Sequence, residues 1–407
     1  MNLHLNLSAI ISGIIRISGS KSETNRLLIL KALFPGISLS NNSDSDDSFL
    51  LQKAIDSDEN VIDIGHAGTA MRFLTAYFAI QEGRTVILTG SERMKERPIK
   101  ILVDALRELG ADISYLESEG YPPLKITGRK FTKNTILLKA DISSQYISAL
   151  LLIAPKLENG LEIVLEGEII SRPYIGMTLG LLNKIGLRTK FEGNKIMVPH
   201  QLSIINYPLS IESDWSAASY FYSIIALSEP GTQLTLSDFN KESLQGDSAL
   251  AEIYMSFGVE TTFKGNKITI CKTNCQLSNI NFPLSDTPDI AQTIAVTCFG
   301  LGIACTLTGL GNLKIKETDR LAALKAELIK LGGDVSITDN SLTLKESKTI
   351  KTGIRIKTYN DHRMAMAFAP LALKVPIIIE NVSVVSKSYP EFWEDLKQIG
   401  FKMSKIK

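Results

Sequence analysis

Leu106-Arg107-Glu108-Leu109-Gly110 closes an apolar, helix-patterned run with a glycine. The same phrase returns at Leu182-Asn183-Lys184-Ile185-Gly186, Tyr254-Met255-Ser256-Phe257-Gly258, Ile329-Lys330-Leu331-Gly332 and Leu396-Lys397-Gln398-Ile399-Gly400. Each glycine stands where a helix C′ residue belongs, a left-handed position that glycine takes without a Cβ penalty. Alternating segments such as Lys267-Ile268-Thr269-Ile270 and Ser341-Leu342-Thr343-Leu344 follow and predict strands. The glycines are 76, 72, 74 and 68 residues apart, against about 68 for one sixth of the 407 residues. One such helix ending is commonplace, but five at near-equal spacing predict an α/β chain of six α+β repeats, longer than common solenoid repeats. Two lobes of three units place a cleft between them, a favoured position for a small-molecule site. The lobe boundary is expected near Tyr207-Pro208-Leu209, before the capped helix entry Glu212-Ser213-Asp214-Trp215-Ser216.

Lys plus Arg total 44 against 43 Asp plus Glu. That balance leaves no global field to hold nucleic acid or a membrane, so anion binding must be local. Cys271, Cys275, Cys298 and Cys305 contain no CxxC pair, and the His and Cys spacings match no zinc module, so no metal is expected. Reduced, buried thiols are the default. The N-terminus lacks a basic region followed by an apolar core, and no run of 18 apolar residues occurs, which predicts a soluble cytoplasmic protein. Asn41 to Ser48 is acidic but lacks the turn glycine and closing glutamate of a calcium loop, and reads as a helix cap.

Gly19-Ser20-Lys21-Ser22-Glu23-Thr24-Asn25-Arg26 runs into the apolar Leu27-Leu28-Ile29-Leu30. Ser20 with Glu23 fits a capping box, so the helix start presents backbone N–H groups with Lys21 and Arg26 beside them, which suits an anion. Taken alone it is equally an ordinary capped helix with solvated charges. Gly13 to Ser22 approaches a phosphate-binding loop but has five residues between Gly13 and Gly19 and a serine before the Lys-Ser pair, so it is no NTPase loop. Gly65-His66-Ala67-Gly68-Thr69-Ala70-Met71-Arg72 is a small-residue turn into an apolar helix, and Arg93-Met94-Lys95-Glu96-Arg97-Pro98 sets three cations before another. Ser143-Ser144-Gln145-Tyr146 and Ser171-Arg172-Pro173-Tyr174 place neutral hydrogen-bonders at helix starts, which caps alone also explain. Ser285-Asp286-Thr287-Pro288-Asp289 opens a helix with two acids, where Asp289 either complements the dipole or holds a substrate hydroxyl. Lys316-Glu317-Thr318-Asp319-Arg320 is expected to set Lys316 and Arg320 on one helix face. Asn360-Asp361-His362-Arg363 carries one of four histidines, and Lys387 follows Ser386. Each phosphate carries about −1.5 to −2, so two substrates with a phosphate and a carboxylate apiece bring roughly −5 to −6. Lys21, Arg26, Arg97, Lys316, Arg320, Arg363 and Lys387 supply seven cations to match, nearly all at helix beginnings.

In this order the stretches resemble the enolpyruvyl transferases, and among them the members acting on shikimate 3-phosphate. The matching blocks are Gly19-Ser-Lys-Ser-x-x-Asn-Arg26, Ala67-Gly-Thr-Ala-Met-Arg72, Arg93-Met-Lys-Glu-Arg-Pro98, Ser143-Ser-Gln145, Ser171-x-Pro-Tyr174, Lys316-Glu-Thr-Asp-Arg320 and Asn360-Asp-His-Arg363. The resemblance implies a two-lobed inside-out α/β barrel of six βαβαββ units, three per lobe, with residues 1–18 joining 213–407 in one lobe and 19–212 forming the other. It implies transfer of the enolpyruvyl group of phosphoenolpyruvate to the 5-hydroxyl of shikimate 3-phosphate, with small-molecule substrates only, no cofactor and a monomeric enzyme. Separately, cations facing across an empty cleft repel, so bound anions are expected to draw the lobes together. Ser22, Arg26, Ser143, Ser144, Ser171, Tyr174, Asn312 and Lys316 match the shikimate 3-phosphate side. Gly68, Thr69, Arg97, Arg320, Arg363 and Lys387 match the phosphoenolpyruvate side, with Lys21 and Gln145 touching both. Asp289 matches the acid that binds the attacking hydroxyl and accepts its proton, Glu317 the proton donor to the methylene carbon, and His362 a group that orients Glu317 or the phosphate. His66 and Phe73 stand where familiar bacterial and plant enzymes have Asn and Pro, so their glyphosate response does not carry over. The sister enzymes acting on UDP-N-acetylglucosamine carry a reactive cysteine in the loop matching Arg93 to Arg97, where this chain has none.

Overall fold

The computed structural model describes residues 1–10, 12–140, 143–167, 169 and 172–406. The chain divides into two compact units, Gly19–Ile211 and Met1–Ser18 with Glu212–Lys407. Glu212, set by the sequence on the other side of the boundary, belongs with the residues that follow it. Its carboxylate accepts from Trp215 Nε1 at 2.9 Å, the Asn240 amide at 2.8 Å and Ser243 Oγ at 2.5 Å.

The Gly19–Ile211 unit carries helices α1 (Lys21–Leu33), α2 (Asp46–Asp56), α3 (Gly68–Ala79), α4 (Glu92–Lys95), α5 (Lys100–Leu109), α6 (Ser144–Ile153) and α7 (Arg172–Lys184). Its sheets repeat one design. Val61–Asp63 and Thr85–Thr89 are parallel with α3 between them in sequence, and the hairpin Asp112–Tyr115/Leu124–Thr127 pairs antiparallel onto Thr85–Thr89. Thr135–Lys139 and Leu161–Glu166 repeat this around α6, with the hairpin Lys190–Glu192/Lys195–Val198. In the third repeat Tyr207–Ser210 pairs parallel to Ile37–Ser40, and there the sheet stops at two strands. Here the expectation of six complete βαβαββ units fails. Only residues 57–60 lie between α2 and Val61–Asp63, too few for a two-stranded hairpin, so this repeat is βαβα.

The other unit carries α8 (Trp215–Leu227), α9 (Leu250–Ile253), α10 (Ala291–Leu301), α11 (Arg320–Lys330), α12 (His362–Phe368) and α13 (Phe392–Gln398). Its three four-stranded sheets all follow the full design. Gly13–Ile15 lies beside Gln233–Ser237, then Lys267–Lys272 and Val259–Lys264; Ile280–Pro283 beside Cys305–Thr308, then Ser341–Leu344 and Val335–Ile337. In the last sheet the start of the chain supplies an inner strand: Asn2–Leu5 lies between Ile377–Ile379 and Met403–Ile406, with Leu3 opposite both Ile379 and Lys405.

The five phrase-closing glycines all adopt positive φ, at 118° (Gly110), 96° (Gly186), 71° (Gly258), 105° (Gly332) and 104° (Gly400). A helix apolar on every side belongs in a core. Accordingly every residue of α12 is buried, as is every residue of α6 except half-buried Gln145 and of α8 except half-buried Ser216. The few hydroxyls on these helices pair with each other rung by rung: Ser219 with Thr293 at 3.1 Å and Ser223 with Thr297 at 2.8 Å join α8 to α10. Because successive turns of α8 meet successive turns of α10 in the same order, these two helices run the same way and their positive ends lie toward the same side.

Candidate active site

In the Gly19–Ile211 unit, Ser20 caps α1 by accepting from the Glu23 amide at 3.4 Å. Lys21 follows at the first helical position, its Nζ 3.5 Å from Asp47 Oδ2, and Ser22 is half-buried beside it. Arg26, one turn on, is buried and bonded throughout. Its Nε donates to Thr178 Oγ1 (2.8 Å), Nη1 to the Ser22 carbonyl (2.9 Å), and Nη2 to Ser148 Oγ (3.1 Å) and the Tyr174 carbonyl (3.4 Å). It lies over the Phe73 ring at 5.4 Å, and burial pushes its pKa down to about 10. Arg26 thus ties α1 to α3, α6 and α7.

The α3 entrance has no side-chain cap at Ala67, and the Arg97 guanidinium lies directly against Gly68. A Cβ on Gly68 would stand 2.2 Å from Arg97 Nη1, so only glycine admits that cation so close to the helix start. Gln145 Nε2 reaches Thr69 Oγ1 at 3.3 Å, joining the first turns of α6 and α3. Ser143 caps α6 and is exposed, while Ser144 is buried; Ser171 lies outside the described residues. Arg72 donates to the carbonyls of Gly68 (3.0 Å) and Pro98 (3.1 Å), fixing the segment that carries Arg97.

In the other unit Arg320 is the centre. Its side chain is 2% exposed, a burial that a guanidinium tolerates only when its donors are paired. Nε donates to Asp361 Oδ2 (2.7 Å), Nη1 to Asp289 Oδ1 (3.1 Å) and Nη2 to Glu317 Oε2 (2.8 Å). Burial works to lower its pKa, but the three carboxylates outweigh it and hold the pKa above the usual arginine range. Arg363 Nη2 lies 3.1 Å from Asp289 Oδ2, and Lys387 Nζ, buried at the end of the 3-10 turn Val382–Lys387, lies 2.8 Å from Glu317 Oε1. Lys316 Nζ is 3.8 Å from Asp289 Oδ1. That carboxylate raises the Lys316 pKa, yet burial and the Arg320 and Arg363 charges together leave it lowered.

Lys316 and Arg320 do not share a helix face as the spacing predicted. Asp319 caps α11 by accepting from the Ala322 amide at 3.1 Å, so the helix begins at Arg320 and Lys316 lies before it in irregular chain. Both still face Asp289, because Pro288–Ile290 forms a 3-10 turn leading into α10. His362 is buried beside Asp361, with Nδ1 3.8 Å from Oδ1, and Asn312 is half-buried in the 3-10 turn Gly311–Ile315. Sequence reasoning quoted Asp361 and Ser216 only as parts of helix entries, and nothing in the patterning singled out Asp247. Asp361 both caps α12 and anchors Arg320.

The model of the EPSP synthase (3-phosphoshikimate 1-carboxyvinyltransferase) family matches residues 36–396. The chain belongs to the EPSP synthase family. A 3-phosphoshikimate 1-carboxyvinyltransferase from Bacteroides fragilis is 47% identical, with 96% of each chain covered. One from Colwellia psychrerythraea is 36% identical over 98% of this chain and 99% of the other. The solved EPSP synthase of Acinetobacter baumannii shares the fold at a TM-score of 0.80, with 22% identity over 99% of this chain and all (100%) of that one. Its fold is the two-lobed inside-out α/β barrel, in keeping with the buried helices α6, α8 and α12 described above. Among the described residues no helix is long and apolar enough to cross a membrane.

Proposed function

We infer that this chain is a 3-phosphoshikimate 1-carboxyvinyltransferase, which moves the enolpyruvyl group of phosphoenolpyruvate to the 5-hydroxyl of shikimate 3-phosphate and releases phosphate in aromatic amino acid biosynthesis. The observation that carries the reading is the Arg320 guanidinium, which holds Asp289 at 3.1 Å and Glu317 at 2.8 Å from adjacent nitrogens. One carboxyl to take a proton and one to give it are thereby fixed on either side of a single cation, as an addition across a double bond requires.

In the addition step the 5-hydroxyl oxygen bonds to C2 of phosphoenolpyruvate, its proton passes to Asp289, and Glu317 gives a proton to the methylene carbon. In elimination that carbon returns a proton and the C2–O bond to phosphate breaks. Lys21 and Gln145 contact both substrates. Ser22, Arg26, Ser143, Ser144, Ser171, Tyr174, Asn312 and Lys316 serve shikimate 3-phosphate; Gly68, Thr69, Arg97, Arg320, Arg363 and Lys387 serve phosphoenolpyruvate. His362, beside Asp361, helps orient this group. No cofactor takes part, and the enzyme acts as a cytoplasmic monomer.

The test is release of inorganic phosphate from phosphoenolpyruvate with shikimate 3-phosphate or UDP-N-acetylglucosamine as acceptor. Turnover with the first and none with the second is expected; no turnover with shikimate 3-phosphate overturns the reading. A single monomeric peak in size-exclusion chromatography checks the oligomeric state.

A further inference from the structure

Asp247 has no part in the chemistry above, yet its surroundings join it to that chemistry. It sits in the 3-10 turn Gly246–Ala249 and is 5% exposed. Its Oδ2 accepts from the Ser216 hydroxyl on the first turn of α8. Ser216 Oγ in turn accepts from Arg363 Nη2 at 3.4 Å, and the same nitrogen lies 3.1 Å from Asp289 Oδ2. Asp247 Oδ1 is buried and has no hydrogen-bond donor among the described residues. A buried carboxylate with one oxygen unsatisfied destabilises a fold, and sites that retain one are candidates for function.

We propose that Asp247 is a positioning residue for the transfer reaction: through the Ser216 hydroxyl it holds the Arg363 guanidinium and sets how that cation is divided between Asp289 and a bound anion. The proposal rests on the reading of Asp289 and Arg363 as substrate-contacting groups. The charged groups facing Asp247 are Asp289 and Asp214, which oppose its ionisation, and Arg363, which favours it; Ser216 favours it too by donating. Burial first and Asp289 second carry the carboxyl up to about 7. Ionised, Asp247 draws Arg363 toward Ser216 and away from its other partners. Protonated, it leaves the whole guanidinium charge to Asp289 and the substrate anion. Affinity for the anionic donor therefore follows the state of a carboxyl that never touches it.

Initial rates from pH 6 to pH 8 on wild type, Asp247→Asn, Ser216→Ala, Asp289→Asn and Arg363→Lys, with folding checked by circular dichroism, test this. In wild type the KM for phosphoenolpyruvate is expected to rise severalfold across neutral pH. Asp247→Asn, which mimics the protonated carboxyl, should hold the low-pH KM throughout; a profile superposing on wild type overturns the proposal. Ser216→Ala keeps the ionisable group but removes the bridge, and should hold the KM for phosphoenolpyruvate near its low-pH value from pH 6 to pH 8. A wild-type rise of KM with pH in that variant overturns the bridging role, so the question is decided even if Asp247→Asn does not fold. Wild-type turnover in Asp289→Asn and Arg363→Lys would instead remove the active-site reading itself.

Discussion

At the scale of single residues, Gly68 shows how a motif letter acquires its physical reason. Its neighbours in sequence explain a turn, but the demand for glycine comes from Arg97 Nη1, 2.2 Å from where a Cβ would stand. The clashing atoms are the far end of a flexible side chain, so in Gly68→Ala the guanidinium yields rather than the helix. The KM for phosphoenolpyruvate is expected to rise about tenfold while Tm moves by no more than about 2 °C. Steady-state kinetics with unchanged KM would remove Arg97 from the donor site. Glu317→Gln keeps size and position beside Arg320 and Lys387 but cannot supply the methylene proton. It should lower kcat by about 10²- to 10³-fold with KM changed less than threefold. An equal loss in substrate affinity, measured by titration, would make Glu317 a binding residue instead.

At the scale of elements, the helix α11 was legible from its apolar positions Leu321, Leu324 and Leu328, but its start and its far clip were not. Asp319 stops it short of Lys316. Glu327, which in sequence is one more charge on a helix, is fully buried and receives Tyr359 Oη at 2.6 Å, the Lys357 amide at 3.2 Å and Lys330 Nζ at 2.8 Å. These bonds brace a turn in which Tyr359 (φ 54°) and Asn360 (φ 55°) both hold left-handed backbone, directly before Asp361 and Arg363. Such backbone persists only where its surroundings over-determine it. Glu327→Ala should therefore cost about 2–4 kcal/mol, read from urea unfolding, since it strands a hydroxyl and an amide in the interior. On α13, burial carries the Asp395 carboxyl from 3.8 up to about 6, helped by Glu391 and Glu394 against the Tyr389 hydroxyl, which lowers it. The native state then keeps a proton that the unfolded chain has released, so this group makes stability fall as pH rises from 3.8 to about 6 and adds no slope above. Asp395→Asn should flatten that part of the urea-midpoint profile; an unaltered slope would show that Asp395 does not titrate there.

At the scale of the molecule, the start of the chain completes the last repeat of its unit. Asn2–Leu5 lies between two strands more than 370 residues further on, with Leu3 and Leu5 buried beneath it. Deleting residues 1–6 removes two buried leucines and leaves Met403–Ile406 without a partner strand. The loss is about 5 kcal/mol or more, of the order of a whole domain's stability. Thermal melts with a Tm equal to wild type would exclude this role. The sequence by itself determined the repeating αβ design, its helix-ending glycines, the cations at helix starts and the family motifs. Those are local properties: periodicity, capping and left-handed backbone depend on residues a few positions apart. Tertiary structure alone decided that one repeat lacks its hairpin, that Arg97 closes on Gly68, that Arg320 binds three carboxylates, and that Asp247 reaches Arg363 through Ser216. Apart from Glu317, three positions from Arg320, such contacts join residues tens to hundreds of positions apart. Burial, which turns a solvated charge into a paired one, exists only once the helices have packed.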